Sequence, residues 1–103
     1  MGIVGNAPKQ PAETFPITVD FEKDLDAAQS ETLSLAVVTS KNEATGVDSS
    51  STLLSGAPSV SGSKATQQIK AGADGEDHLV QFRATTNLAN VFEAEVRVLV
   101  RET

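Results

Sequence analysis

The chain has a single histidine, His78, which stands beside Glu76 and Asp77 where an acidic turn gives way to an apolar alternation. Histidine next to carboxylates is the raw material of proton transfer and of Ser-His-acid nucleophilic catalysis. A triad also needs a serine presented on a sharp turn, and no nucleophile-elbow glycines flank any serine here, so the expected role of His78 is that of a strand-end histidine. Asp74, Glu76 and Asp77 form the densest acidic cluster, with Asp20, Glu22, Asp24 and Asp26 second. Calcium takes clustered oxygen ligands, but neither stretch reproduces the ligand spacing and central glycine of an EF-hand loop, so both are expected to be solvated loops. The run from Gly56 to Gly62 lacks the GK[ST] ending and following helix of a phosphate cradle and is expected to be a turn connector. Neither a catalytic residue nor a cofactor or metal ligand is assigned.

Eight Lys plus Arg against fourteen Asp plus Glu leave a net charge of −6, which disfavours counterion-release binding to a phosphate backbone. Nucleic acid is not an expected partner. The longest apolar run, Leu35 to Val38, is far short of a membrane span, and the N-terminus has neither a basic region nor an apolar stretch of the kind that targets a chain. A soluble, untargeted protein with no membrane contact is expected. The absence of cysteine removes thiol chemistry and zinc thiolate sites. With four Phe, no Trp and no Tyr, the ring platforms that stack on bases or wall a sugar cleft are also missing.

The elements are read from periodicity. Val80, Phe82 and Ala84, then Phe92, Ala94, Val96, Val98 and Val100, alternate with polar residues around the turn-like Asn87-Leu88-Ala89-Asn90, which predicts an antiparallel hairpin. Ile17, Val19 and Phe21 predict a first strand, and Leu33, Leu35 and Val37 a second after a charged loop from Glu22 to Ser30. Lys41 to Ser63 is rich in Ser, Gly, Asp and Thr and is expected to hold short edge strands; Ala65 to Ala71 adds another with Ile69 inward. Arg97 and Arg101, alternating with Glu93 and Glu95, are expected to form cross-strand charge pairs. Residues 1–16, with Gly2, Gly5, Pro8, Pro11 and Pro16, read as an extended arm outside the core, whose Ile3, Val4 and Phe15 would anchor it on a neighbouring subunit.

Lys23-Asp24-Leu25-Asp26, Thr45-Gly46-Val47-Asp48-Ser49-Ser50-Ser51, Gly72 through Val80, and Glu95 through Arg101 occur in that order. In this order of features, from Phe21 to Arg101, the chain resembles a group of small β-sandwich proteins encoded in tailed-phage structural gene clusters, although that group commonly carries a Gly-containing turn in place of Asn87 to Asn90. The resemblance implies a non-enzymatic virion component assembled in the host cytoplasm, either an adaptor joining fibre to tail or a domain decorating the head or tail surface.

The expected fold is an all-β, immunoglobulin-like antiparallel β-sandwich of about seven strands over residues 17–103, preceded by the arm at 1–16. Its partners would be other virion structural proteins, with symmetric copies or a homo-oligomer, contacted through Ile3, Val4, Phe15, Asp74, Glu76 and Asp77. The alternative is a stand-alone β-sandwich adhesion domain, calcium-assisted through the acidic loops, that recognises a cell-surface ligand.

Overall fold

The computed structural model describes residues 3–102, with side chains from Gly5 onward. Seven strands form: β1 (Ile3–Lys9), β2 (Phe15–Asp20), β3 (Leu33–Asn42), β4 (Leu54–Ser61), β5 (Lys64–Ile69), β6 (Asp77–Thr86) and β7 (Val91–Val100), with one helical turn, α1 (Ser50–Leu53). They make two sheets, ordered β1-β7-β6-β3 and β2-β5-β4. All pairings are antiparallel except β1 on β7. The predicted hairpin is β6–β7. Its inward row on β6, from His78 through Val80, Phe82 and Ala84 to Thr86, is buried, while Leu79, Gln81, Arg83 and Thr85 face out. Ile17, Val19, Ala65 and Ile69 from the other sheet complete the core, with Phe21, Leu33 and Leu53.

The segment expected as an arm outside the core is extended, but from Ile3 to Lys9 it is a strand of the larger sheet. It pairs in parallel with β7, Ala7 opposite Val98 and Lys9 opposite Val100, and Ala7 packs on the core. Parallel strands need a crossover between them, and here the rest of the sandwich supplies it. Gly5, Asn6 and Pro8 dilute the apolar alternation that would mark a strand; an outer strand tolerates such a proline because its N–H need not be paired. Lys9 fixes the end of β1. Its buried amine donates to the carbonyls of Gln10 (2.8 Å), Pro11 (3.1 Å) and Ala71 (2.5 Å). Removal from water lowers its pKa. Phe15, one of the three expected arm anchors, opens β2 and packs half-buried against the core.

β3 forms where expected with its phase shifted. A bulge between Leu33 and Leu35 turns Leu33 inward but leaves Leu35 and Val37 facing out, with Ala36, Val38 and Ser40 taking the inner row. One inserted residue reverses every side chain beyond it, so a sequence read at strict period two assigns the wrong face. A second irregularity in β4, between Ser55 and Ser59, is filled by buried Gln67, whose amide nitrogen lies 3.2 Å from the carbonyl oxygens of Ser55 and Gly56 and 2.9 Å from that of Gln68. The charged loop after β2 contains two 3-10 turns, Glu22–Asp24 and Ala27–Gln29.

Two loop positions show how tightly the ends are closed. Gly72 has φ +93°, and a Cβ there would lie 2.9 Å from Val100 Cγ2. Gly72→Ala should lower unfolding free energy by about 1–3 kcal/mol in urea denaturation, from left-handed strain and overpacking together. In the expected turn between β6 and β7, Ala89 has φ 64° without being glycine. Ala89→Gly should raise stability by up to about 1 kcal/mol, the relieved strain exceeding the added unfolded-state entropy; a loss of stability would refute this.

Candidate functional site

His78, the second residue of β6, turns its side chain into the end of the sandwich, where it joins β3 to two loops. Ser49 Oγ lies 2.9 Å from its Nδ1 and Glu76 Oε1 3.0 Å from its Nε2. A carboxylate can only accept, so Nε2 carries the proton toward Glu76 and, in the neutral ring, Nδ1 accepts from Ser49. Ser40 Oγ, 2.8 Å from Ser49 Oγ, then donates to Ser49. Glu76 also accepts from the Ala73 N–H (2.8 Å) and the Asn42 amide (3.3 Å). The Ala73 N–H and then His78 hold its carboxyl below the ordinary range.

Serine, histidine and glutamate in hydrogen-bonded sequence have the outline of a nucleophilic triad, but their surroundings do not equip them as one. The ring is reversed relative to the usual arrangement, with the serine on Nδ1 and the carboxylate on Nε2. The main-chain N–H groups nearest the hydroxyl are occupied: Ser49 N–H donates to the Ser40 carbonyl (2.9 Å) and Ser50 N–H to Asp48 Oδ1 (2.8 Å), leaving neither for a developing oxyanion. Ser49 and His78 are both buried. The arrangement is a clamp that fastens the loops before α1 and before β6 to strand β3.

The other acidic residues of the turn are also engaged within the chain. Asp77 pairs with Arg101 (2.8 Å), and Asp74 accepts from the Glu102 N–H (2.8 Å). Asp74, Glu76 and Asp77 thus lie together at one end, the end at which Phe15 opens β2 opposite Ile69. Ile3, by contrast, pairs with Glu95 in mid-sheet, and the side chains of Ile3 and Val4 lie outside the described residues. At the opposite end, buried Glu31 accepts from Thr86 Oγ1 and Asn90 Nδ2, both at 2.7 Å, and from the Asp26 N–H at 2.9 Å. The Thr86 hydroxyl, followed by the Asn90 amide, lowers its pKa. Neither Glu31 nor Lys9 was legible as a buried charge, because each stands in a polar, turn-forming stretch.

The two outer faces differ in kind. On the smaller sheet Pro16, Thr18 and Asp20 alternate with Lys64, Thr66 and Gln68, a solvated surface. On the larger sheet Leu35 (51% exposed), Val37 (53%) and Val91 (55%) stand open on the strands, with Leu88 (41%) on the adjoining turn. Ion pairs occupy the same face, with partners other than those expected. Glu93 pairs across to Arg83 (2.8 Å), and Arg97 forms a two-point contact with Glu43 (2.7 and 2.8 Å). Among the described residues no helix is long and apolar enough to cross a membrane.

Two outcomes follow from the buried polar ends. His78→Ala should cost about 2–4 kcal/mol, since it leaves a cavity and strips Ser49 and Glu76 of a partner; an unchanged urea midpoint would contradict the clamp. The lowered carboxyls of Glu31 and Glu76 contribute stability that is present above their unfolded pKa, near 4.5, and lost as pH falls through the folded values. Thermal unfolding between about pH 2 and 7 should show this acid loss, and Glu31→Gln should flatten it.

Comparison with curated proteins finds no match to the chain. A family model described as podophage GP4 fiber-tail adaptor protein gp77 matches residues 9–99, from the Lys9 anchor through β2 to β6 and on to Leu99, the penultimate residue of β7. That span covers most of the chain, and the all-β architecture agrees with the small β-sandwich structural proteins of tailed phages that its motifs resemble: the chain belongs to the podophage fibre-tail adaptor protein gp77 family.

Proposed function

We propose that the chain is a non-enzymatic structural adaptor of a tailed-phage particle, binding neighbouring tail or fibre subunits by surface complementarity. The observation that carries this reading is the family match over residues 9–99. The chemistry of the molecule supports it. The one histidine and its serine and glutamate neighbours are spent on holding loops to strands, and the outer face of the larger sheet leaves apolar side chains open to solvent. Exposed apolar residues grouped on one flat face are a mark of an interaction surface.

The finer architectural reading is an immunoglobulin-like sandwich. It is supported by the strand order, β2-β5-β4 facing β7-β6-β3, which follows the B-E-D and G-F-C order of that fold, with β1 laid on the last strand. The acidic turn at Asp74 to Asp77 and the start of β1 remain part of the proposed contact surface.

Immobilised full-length chain should retain purified tail or fibre proteins of its phage from solution, and lose them when Val37→Asp and Val91→Asp are combined. Failure of every tail and fibre protein to bind would overturn the adaptor reading. Retention unaffected by the double variant would move the contact to another face.

A further inference from the structure

We propose that the outer face of β3, β6 and β7 docks a second copy of this chain, sheet against sheet about a two-fold axis. The charge pattern argues for a like partner. The strand residues of this face carry three basic side chains, Lys41, Arg83 and Arg97, and three acidic ones, Asp77, Glu93 and Glu95. They sum to zero, so the net charge of −6 lies elsewhere on the chain. Two copies approaching by their acidic loops repel each other; the smaller sheet's outer face, with Asp20 and Lys64, is also neutral but carries none of the exposed Leu and Val of this one, which meets its own kind without that cost.

The face is also self-complementary in detail. Arg83 and Glu93 are opposite neighbours on β6 and β7, and their side chains are 60% and 37% exposed. With the axis parallel to the strands and between β6 and β7, Arg83 of each copy lies over Glu93 of the other. The two internal ion pairs become a four-membered network, the reciprocal pattern that an isologous interface requires. Thr85, one row away, then lies over the second copy's Val91, and Leu35 and Val37, one strand further out, run along the outer side of the second copy's β7 in the rows of Val91 and Glu93. Three strands of ten residues offer roughly 33 by 14 Å, or about 900 Å² over the two copies, the size of a weak, transient interface. This association goes beyond the adaptor role and takes a face that a tail or fibre protein would have to compete for; the mass of the chain alone tests it, whereas retention of tail or fibre proteins tests the adaptor reading.

Light scattering or sedimentation of the chain from about 10 µM to 1 mM tests it, the range in which a weak, transient dimer forms. The mass should climb from 10.7 kDa toward twice that value. Arg83→Glu and Glu93→Arg should each hold the mass at 10.7 kDa, because each places like charges across the axis. An equimolar mixture of the two should dimerise again, since one copy then presents two acids to the other's two arginines. Their melting temperatures should stay within about 3 °C of the parent, the pair being exposed. A wild-type chain that remains at 10.7 kDa throughout, or a mixture that fails to dimerise, would overturn the proposal. A mass that rises only when tail or fibre protein is added would also overturn it and assign the face to that partner.

Discussion

The structure depends on closing a narrow β-sandwich at both ends with polar groups. The core is built mostly from Val, Ile, Leu and Ala, with Phe21 and Phe82 its fully buried rings, and polar groups finish its ends. At one end Lys9 spans from β1 to the Ala71 carbonyl while the Ser40-Ser49-His78-Glu76 chain ties β3 to the loops before α1 and before β6; at the other, Glu31 gathers Thr86 and Asn90. Buried polar groups are tolerable only when partnered, and among the described residues no buried side-chain nitrogen or oxygen lacks a hydrogen-bond partner. The apolar rows of β6 and β7 pack in one register because these end clusters fix where the strands stop.

Much of this was legible in the sequence wherever period-two alternation ran unbroken. β6, β7 and β2 were recoverable because Val, Phe and Ile recur on one side and polar residues on the other, and β5 from Ala65 and Ile69 alone, its buried Gln67 giving no apolar signal. β1 was not, because Gly5 and Pro8 interrupt its pattern and its order comes from a partner ninety residues away, Lys9 opposite Val100. The faces of Leu35 and Val37 were misassigned by a bulge, which leaves no local trace in residue types. His78 was read as a strand-end histidine, which is where it lies, but its serine partners come from β3 and the loop before α1, a juxtaposition that only the tertiary fold creates.

The same division explains how a chain with so little chemistry serves as an adaptor. Its titratable groups near the ends hold the frame rigid, so loops that carry active sites in other proteins are here clamped to strands. The bulge in β3 turns Leu35 and Val37 out beside Val91, giving one face an apolar character that the hydroxyl- and amide-rich face of the smaller sheet lacks. An adaptor needs a shape that persists, and a two-sheet sandwich of 45 × 22 × 21 Å closed at both ends provides it.

The central claim, that this sandwich is a structural part of the tail, is tested most directly by electron cryomicroscopy of intact virions. The account predicts density matching a 45 × 22 × 21 Å two-sheet domain between tail and fibre. Particles whose tail and fibre are fully accounted for by other chains, with this one absent, would contradict it.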